Sequence, residues 1–350
     1  MKVTDQNAVD IVLPWVDGSD PKWLKKREHY AELELKNGVT EEQERTANAE
    51  ERFRDWGLLR YLFRGIEKNL PWIRKVHFVT EGHLPEWLDG SCPKLNIVKH
   101  EDFIPAEYLP TFSSHAIELN FHRIPGLSEN FIYFNDDLFA LRAIPENAYF
   151  KNGLPRDYAI QNARAVELDD FFFIPMIDDA VVNRLFTKSE TVKKHCGKWF
   201  SPCYGIYNLL NLAFMKWSNF TGFVDAHLPT PYTKRDFERA WELAGERLER
   251  ACRHRFRRND DVNVWVIRYI RLCEGRFLPK ACEPLDAMFS FELGEEEILK
   301  RCLKTIRTGS RPVICINDGS RARSFQRDAK KIQEALEERF PKRSSFERKQ

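Results

Sequence analysis

The 350-residue sequence contains no long apolar run and no secretion signal. A membrane-spanning helix needs about 18 consecutive apolar residues, and no such stretch is present. Residues 1–10 are polar and lack the apolar centre of a signal peptide. We therefore expect a cytoplasmic protein, either free or at the inner face of the cytoplasmic membrane.

The eight cysteines form no metal or redox motif. No Cys-x-x-Cys pair occurs, and no histidine spacing completes a zinc pattern. Cysteines scattered in this way fit reduced thiols in a reducing compartment.

The sequence also has little net charge. Lys and Arg total 55 against 53 Asp and Glu, which gives a net charge of +2. This balance excludes a broad basic field for nucleic acid, so any anion site should be local. An aromatic content of 13% suits a cleft that stacks sugars or bases, although buried cores are the commoner use of aromatic residues.

Apolar runs that alternate with amphipathic segments indicate an α/β fold with a mainly parallel sheet. The predicted strands span 9–15, 75–80, 95–99, 131–134 and 313–316. The predicted helices span 54–69, 113–123, 233–252, 260–273 and 324–340. The chain divides into an α/β core (1–150), a mixed and largely helical region (151–310), a strand and helix that return to the core (311–340), and a basic tail (341–350).

The acidic turn Asn135-Asp136-Asp137 directly follows a predicted buried strand. Adjacent carboxylates repel each other and are costly to desolvate unless a cation or donors meet them. Ligands of open α/β sheets bind at the carboxyl ends of strands, and Mg²⁺ favours one or two carboxylates together with phosphate oxygens. The pair therefore suits Mg²⁺ or Mn²⁺ on a substrate phosphate, with a solvated Asx turn as the alternative.

Two more segments of the predicted core contain candidate groups. The turn after the first strand offers Gly18 for close backbone approach and three polar neighbours, but it lacks a Walker or G-x-G-x-x-G pattern. A strand exit capped by Asp and Ser is the alternative there. Within the helix 113–123, His115, Glu118 and His122 are spaced to share one face, which suits acid–base chemistry beside a metal or a solvated ion pair.

Two segments of the region 151–310 contain further candidate groups. His227 lies in a loop stiffened by prolines and can transfer protons near neutral pH. The basic run 253–258 contains arginines that can bind phosphate, although a solvated face is its alternative interpretation. Acids for a cation, arginines for phosphate and a histidine for a hydroxyl proton are the groups that phosphoryl transfer requires.

Four ordered segments resemble the Stealth family, which includes bacterial capsular polysaccharide phosphotransferases and the animal N-acetylglucosamine-1-phosphotransferase. The first segment is Ile-Val-Leu-Pro-Trp-Val-Asp-Gly-Ser-Asp-Pro, from Ile11. The second runs from Arg-Phe-Arg-Asp at Arg52 to Asn-Asp-Asp at 135–137 and includes Leu-Pro-Thr-Phe-Ser-Ser at 109–114. The third runs from His-Leu-Pro at His227 into the basic run, and the fourth is Ile-Cys-Ile-Asn-Asp, from Ile314. The sequence lacks the long insertions of the animal proteins, which points to a compact bacterial member. His115 and Asn120 replace a proline and a histidine of the animal enzymes, which argues against catalytic roles for both.

The resemblance implies transfer of a hexose-1-phosphate, with N-acetylhexosamine-1-phosphate as the favoured group, from a UDP-sugar to a hydroxyl of a glycan acceptor, with release of UMP. It implies a glycosyltransferase-A-like core that binds the nucleotide-sugar, with added helical elements for the acceptor. A metal-dependent glycosyltransferase that releases UDP, a non-catalytic nucleotide-sugar-binding protein and, more weakly, a phosphohydrolase are the alternatives.

The resemblance also places Glu118, Asp137, His227 and Arg257 in the active site, and from this we expect the following roles for them and for the neighbouring acids. Asp137 holds the metal with Asp136 or Asp318, Arg257 stabilises charge at the attacked phosphorus, and either His227 or Glu118 is the general base. The residues expected to contact substrate are Trp15, Asp17, Gly18, Ser19, Asp20, Arg52, Arg54, His122 and Asn135. The basic tail could contact anionic lipid weakly, although a solvated tail is the simpler expectation.

Overall fold

The computed structural model describes residues 8–36, 56–165, 173–282, 296–317 and 325–349. Three predicted site residues, Arg52, Arg54 and Asp318, lie outside these ranges. The strands are β1 (Val9–Pro14), β2 (Val76–Thr80), β3 (Leu95–Lys99), β4 (Asn130–Tyr133), β5 (Leu138–Ala140), β6 (Phe150–Lys151), β7 (Leu154–Asp157), β8 (Thr230–Thr233), β9 (Leu278–Pro279) and β10 (Val313–Cys315). The α-helices are α1 (Pro21–Lys36), α2 (Leu59–Asn69), α3 (Ser114–Glu118), α4 (Phe173–Leu185), α5 (Lys188–Lys194), α6 (Cys196–Trp199), α7 (Asn208–Phe214), α8 (Lys234–Arg253), α9 (Trp265–Cys273), α10 (Glu296–Thr308) and α11 (Phe325–Arg339).

The central sheet has five strands in the order β3-β2-β1-β4-β8. β1 pairs in parallel with β2 and β4, β2 pairs in parallel with β3, and β8 runs antiparallel to β4. The predicted α/β fold with a mainly parallel sheet is therefore confirmed. The order of strands reverses between β1 and β4, and this is the position at which such sheets bind ligands.

Helices cover both faces of this sheet. Ile11 and Leu13 of β1 pack into a cluster with α2, α10 and α11, whereas Val12 between them packs into a second cluster with α8 and α9. Successive strand side chains point to opposite faces, so a strand covered on both sides is apolar throughout. β1 and β2 are accordingly mainly apolar, and their buried polar side chains Asp10 and His77 contact each other at 3.0 Å.

The last strand returns the chain to the acidic turn. β10 pairs antiparallel with β5, with Cys315 opposite Leu138, and the backbone N–H of Ile316 donates to the Asp137 carbonyl at 2.8 Å. The end of β10 therefore lies beside Asp137.

The predicted helix 113–123 is shorter than expected. α3 ends at Glu118, and residues 121–123 form a separate 3₁₀ turn. The Asn120 side chain donates to the Ala116 carbonyl at 2.8 Å, and the Asn120 N–H turns to the Ile117 carbonyl instead. Because this side chain takes the acceptor that the next helical turn would use, the helix stops. The prediction that His115, Glu118 and His122 share one helix face is wrong.

The C-terminal segment is packed rather than solvated as expected. Phe346 is buried against Phe63, with their ring centroids 5.0 Å apart. The Glu347 carboxylate receives two hydrogen bonds from the buried Arg64 guanidinium, at 2.8 and 2.9 Å. The basic composition of the segment did not predict this packing, because its apolar and acidic residues make the contacts.

Replacing Glu347 with alanine should strongly destabilise the fold. Both side chains of the Arg64–Glu347 pair are about 5% exposed, so the substitution leaves a buried guanidinium without its main partner. Loss of one member of a buried pair costs about 3–5 kcal/mol of unfolding free energy, measured here by urea denaturation.

Glu337→Ala is the matched control. Glu337 pairs with the same Arg64 guanidinium but is 50% exposed, so its loss should cost less than about 1 kcal/mol. Equal losses of stability in the two variants would contradict the docking role assigned to Glu347.

Candidate active site

The sheet brings His227 to the acidic turn, although 90 residues separate them from each other in sequence. β4 ends at Tyr133, two residues before Asn135. β8 begins with Thr230 paired to Tyr133, so the residues before β8 lie at the same edge as the residues after β4. His227 Nε2 consequently lies 3.0 Å from Asp137 Oδ2, with 46% of the histidine side chain exposed.

The two carboxylate oxygens of Asp137 have different surroundings. Oδ2 faces His227 and accepts a hydrogen bond from the Cys315 thiol, whose sulfur lies 3.3 Å away. Oδ1 is shielded from solvent and has no hydrogen-bond partner within the described ranges. A buried carboxylate oxygen is costly without a partner, so Oδ1 fits a cation ligand held in place through Oδ2.

Charge and burial set the protonation of both partners of Asp137. The Asp137 carboxylate raises the pKa of His227 above its usual value, against the opposing effect of burial, and Glu118 and Asp136 raise it further. Burial and Asp137 raise the pKa of the Cys315 thiol well above its usual value. Ligand atoms of Asp137, His227 and Cys315 lie within 4.8 Å of one another, but a protonated thiol acts here as a donor that orients the carboxylate.

Glu118 joins this group through a tyrosine. The Tyr133 hydroxyl lies 3.1 Å from Glu118 Oε1 and 3.4 Å from Asn135 Oδ1, and Asn135 Nδ2 lies 3.4 Å from His227 Nε2. Burial and the Glu118 charge raise the pKa of the Tyr133 phenol well above its usual value, so the phenol remains a donor. A continuous series of polar contacts therefore runs from Glu118 to Asp137, in which the amide of Asn135 only approaches His227, because the Nε2 proton points to Asp137. We call the five residues Glu118, Tyr133, Asn135, His227 and Asp137 the polar chain.

Two members of this region escaped prediction from the sequence. Tyr133 is the last residue of the strand that delivers the acidic turn, and its position at a strand end was the available signal. Cys315 lies two residues before Asn317 and 178 residues after Asp137, so only the strand pairing reveals their contact.

Arg257 lies at the opposite end of α3 from Glu118. Its Nη2 donates to Ser114 Oγ at 2.6 Å, and Ser114 and Glu118 are the first and last residues of α3. Four residues of helix span about 6 Å, which places the guanidinium and the polar chain at the two ends of one short helix. Phe256 stacks on Phe112 at 5.1 Å and fixes the loop beside Arg257.

The first turn is held mainly by its own polar groups. Asp17 Oδ1 accepts from the Ser19 backbone and hydroxyl at 2.9 and 2.6 Å, and Asp20 Oδ1 accepts from the Trp23 N–H at 2.7 Å. The Asp17 N–H donates to His83 Nε2 at 2.8 Å. These contacts match the capped strand exit that the sequence offered as an alternative, and the role of His83 was not predicted.

The turn nevertheless lies at the edge of the sheet where folds of this kind bind ligands. It follows β1 at the carboxyl end of the strand, next to β4 and its acidic turn. Trp15 stacks on Phe78 at 5.6 Å, and Gly18 adds no side chain between the turn and a ligand.

His122 is not part of the polar chain. Its ring packs 5.4 Å from Phe237 and 6.3 Å from Trp241, both in α8. Burial lowers its pKa to about 3, so the imidazole is neutral. This packing against α8 sets His122 apart from the polar chain, and its expected contact with substrate stays a prediction.

Comparison with known proteins identifies the family. Conserved regions 1, 2 and 4 of Stealth proteins match residues 8–32, 52–157 and 304–350. His227 and Arg257 lie between the second and third matched segments, whereas the acidic turn lies within the second.

Full-length relatives extend the comparison across the chain. It is 37% identical to the capsular polysaccharide phosphotransferase WcwK of Streptococcus pneumoniae over 98% of this chain and 99% of that protein. It is 35% identical to the exopolysaccharide phosphotransferase cps2G of Lactiplantibacillus plantarum, over 97% of this chain and 96% of that protein. It is 33% identical to the receptor polysaccharide phosphotransferase WefC of Streptococcus oralis, over 97% and 99% of the two chains. The predicted relationship is confirmed, and the chain belongs to the Stealth family.

Proposed function

We propose that this protein transfers a hexose-1-phosphate from a nucleotide-sugar to a glycan hydroxyl, in the synthesis of a capsular or other cell-surface polysaccharide. The names of its relatives support polysaccharide phosphotransfer. The contact of His227 with Asp137, whose Oδ1 has no hydrogen-bond partner among the described residues, is the observation that supports it most directly. This contact places the proposed proton acceptor beside the proposed cation ligand at the carboxyl end of β4.

Asp137 and its neighbours fit Mg²⁺ or Mn²⁺. Oxygen ligands from carboxylates suit these hard cations, and we propose Asp137 Oδ1, the Asp136 carboxylate and Asp318 as the ligands. A bound cation would neutralise charge on the diphosphate of the donor. Cys315 and His227 then hold the second oxygen of Asp137, which keeps the carboxylate in one orientation.

His227 is the proposed general base. Nε2 faces Asp137, which leaves Nδ1 as the ring nitrogen that can take the proton of the acceptor hydroxyl. Its side chain is 46% exposed, whereas Glu118 is 7% exposed and accepts from Tyr133, so an acceptor reaches the histidine more readily. Glu118 in this assignment stabilises the imidazolium that forms, because its charge already raises the pKa of His227.

The remaining groups position the donor. Arg257 neutralises charge on the oxygens of the attacked phosphorus, in line with the strength of guanidinium–phosphate contacts. The turn at Trp15 to Asp20 contacts the nucleotide, with Arg52 and Arg54 as further contacts, on a core of the glycosyltransferase-A type. We propose a UDP-linked N-acetylhexosamine as the donor and UMP as the leaving group.

The released nucleotide tests the reaction type. The protein is incubated with UDP-sugars, Mg²⁺ and oligosaccharide acceptors, and the products are identified by mass spectrometry. Attack at phosphorus predicts UMP and an acceptor heavier by one sugar phosphate. Release of UDP with an acceptor heavier by one sugar would identify a glycosyltransferase, and binding without turnover would identify a binding protein.

Replacing His227 with alanine should lower the turnover number by about 10²–10⁴-fold, the usual range for loss of a general base. UMP release measures the rate, and thermal unfolding by circular dichroism checks the fold. His29→Ala, an exposed histidine of α1, is the matched control and should retain full activity. Full turnover in His227→Ala would transfer the role of base to Glu118.

Asp137→Asn should reduce transfer by at least about 100-fold, because it removes charge from the site while preserving side-chain shape. The same variant should bind Mn²⁺ more weakly, as measured by electron paramagnetic resonance without any substrate. Asp89→Asn is the control, since it makes the same substitution at a carboxylate that caps a turn with Ser91 and is not a proposed ligand. Unchanged Mn²⁺ binding in Asp137→Asn would remove Asp137 from the ligand set.

A further inference from the structure

Exposed apolar side chains cluster in one short segment far from the acidic turn in sequence. Within the described ranges, nine large hydrophobic residues are exposed, and five of them fall between residues 206 and 217. Ile206, Leu209, Leu212 and Trp217 are 53–75% exposed, and Met215 is 36% exposed. The other four, in α1, α4 and a loop, are 37–39% exposed and do not share one segment. We call the five residues between 206 and 217 the apolar ridge.

The ridge faces outward because α7, which contains Leu209 and Leu212, packs against the rest of the protein through its polar residue Asn211. Asn211 of α7 is fully buried, accepts from the Gln161 N–H at 2.7 Å, and donates to the carbonyls of Ala159 and Trp199 at 2.8 and 2.5 Å. Rotating α7 to bury its leucines would break these three hydrogen bonds and expose the core beneath. The polarity of the helix is thus inverted relative to an ordinary surface helix.

The end of the segment is held equally firmly. The Lys188 ammonium donates to the carbonyls of Phe214 and Asn219, at 2.5 and 3.2 Å, on either side of Trp217. The Trp217 ring lies 5.5 Å from the Phe214 ring and is 53% exposed. A partly exposed tryptophan in a fixed position is typical of the boundary between water and lipid.

The charged residues near the ridge indicate which kind of surface it binds. Residues 191–224 contain no Asp or Glu, although the whole chain has 53 acids in 350 residues. The exposed Lys216 lies within the ridge, next to Trp217. A segment with exposed apolar side chains, a tryptophan and a lysine, and with no acid of its own, fits the headgroup region of an anionic membrane.

We propose that the apolar ridge inserts into the headgroup region of a bilayer that contains anionic lipid, and so attaches this protein peripherally to a membrane. The described helices include none with the length and apolarity of a transmembrane span. Attachment through the ridge requires only that five side chains enter the interface while the acidic turn remains in water. The docked residues 344–348 of the basic segment take no part in it.

Co-sedimentation with vesicles tests this attachment. Wild-type protein should sediment with vesicles of phosphatidylglycerol and phosphatidylcholine and remain in the supernatant with phosphatidylcholine alone. The bound fraction should fall as salt rises from about 0.1 M to about 0.5 M, because the Debye length shortens. Leu209→Ser/Leu212→Ser should reduce the bound fraction at least about fivefold, since it removes two inserted side chains.

Leu33→Ser/Leu35→Ser is the matched control, because it changes two exposed leucines of α1 and should leave vesicle binding intact. Brominated lipid should quench tryptophan fluorescence in the wild type, and less so in Trp217→Phe. Failure of the wild type to bind anionic vesicles, or equal binding by Leu209→Ser/Leu212→Ser, would overturn the proposal.

A dimer in light scattering that the same double substitution dissociates would instead assign the ridge to a second copy of this chain, and would also overturn the proposal. UMP release with a water-soluble acceptor should be unchanged in Leu209→Ser/Leu212→Ser. Failure of the lipid proposal is therefore distinguishable from failure of the proposed reaction.

Discussion

The position of β4 between a parallel and an antiparallel neighbour determines the rest of the site. Parallel pairing with β1 places the acidic turn beside the first turn, because the carboxyl ends of parallel strands meet at one edge. Antiparallel pairing with β8 brings the residues before that strand to the same edge, and His227 is among them. A one-residue shift of either pairing would turn the side chains of β4 to the wrong faces of the sheet. The burial of β4 between two apolar clusters prevents such a shift.

Three acidic side chains gather around one histidine in the site. Glu118, Asp136 and Asp137 all raise the pKa of His227, so each of these carboxylates favours the charged imidazolium. A divalent cation at the proposed position would oppose this effect and favour the neutral imidazole that proton transfer requires. Carboxylates gathered in this way are costly to desolvate, and such clusters are typical of sites that bind a charged ligand.

The sequence predicts those features that depend on neighbours in the chain. Mainly apolar runs identified β1 to β4 within a residue or two, because strands in a covered sheet contain few polar side chains. The helix at 113–123 was mispredicted because one side chain, Asn120, competes for a backbone carbonyl. The thiol contact of Cys315 with Asp137 and the docking of Glu347 on Arg64 join residues 178 and 283 positions apart. No local pattern specifies contacts of this kind, whereas the family resemblance did place Glu118, Asp137 and His227 in one site.

Buried arginines hold the chain on both sides of His227. On one side, Asp225 accepts from Arg268 at 2.6 Å and from Arg164 at 2.7 Å, and the Tyr269 hydroxyl donates to it as well. On the other side, the Pro231 carbonyl accepts from Arg271 at 2.6 Å.

Two further acids, Asp157 and Asp236, belong to the same network of buried ion pairs. Asp157 pairs with both Arg268 and Arg271, and Asp236 pairs with Arg271. Buried ion pairs contribute little net stability compared with apolar residues of similar volume, so stability alone does not account for this arrangement. Their fixed geometry positions a half-exposed histidine against a carboxylate before substrate arrives. Such preorganisation is worth more to a phosphoryl transfer than additional binding, because the charge develops only in the transition state.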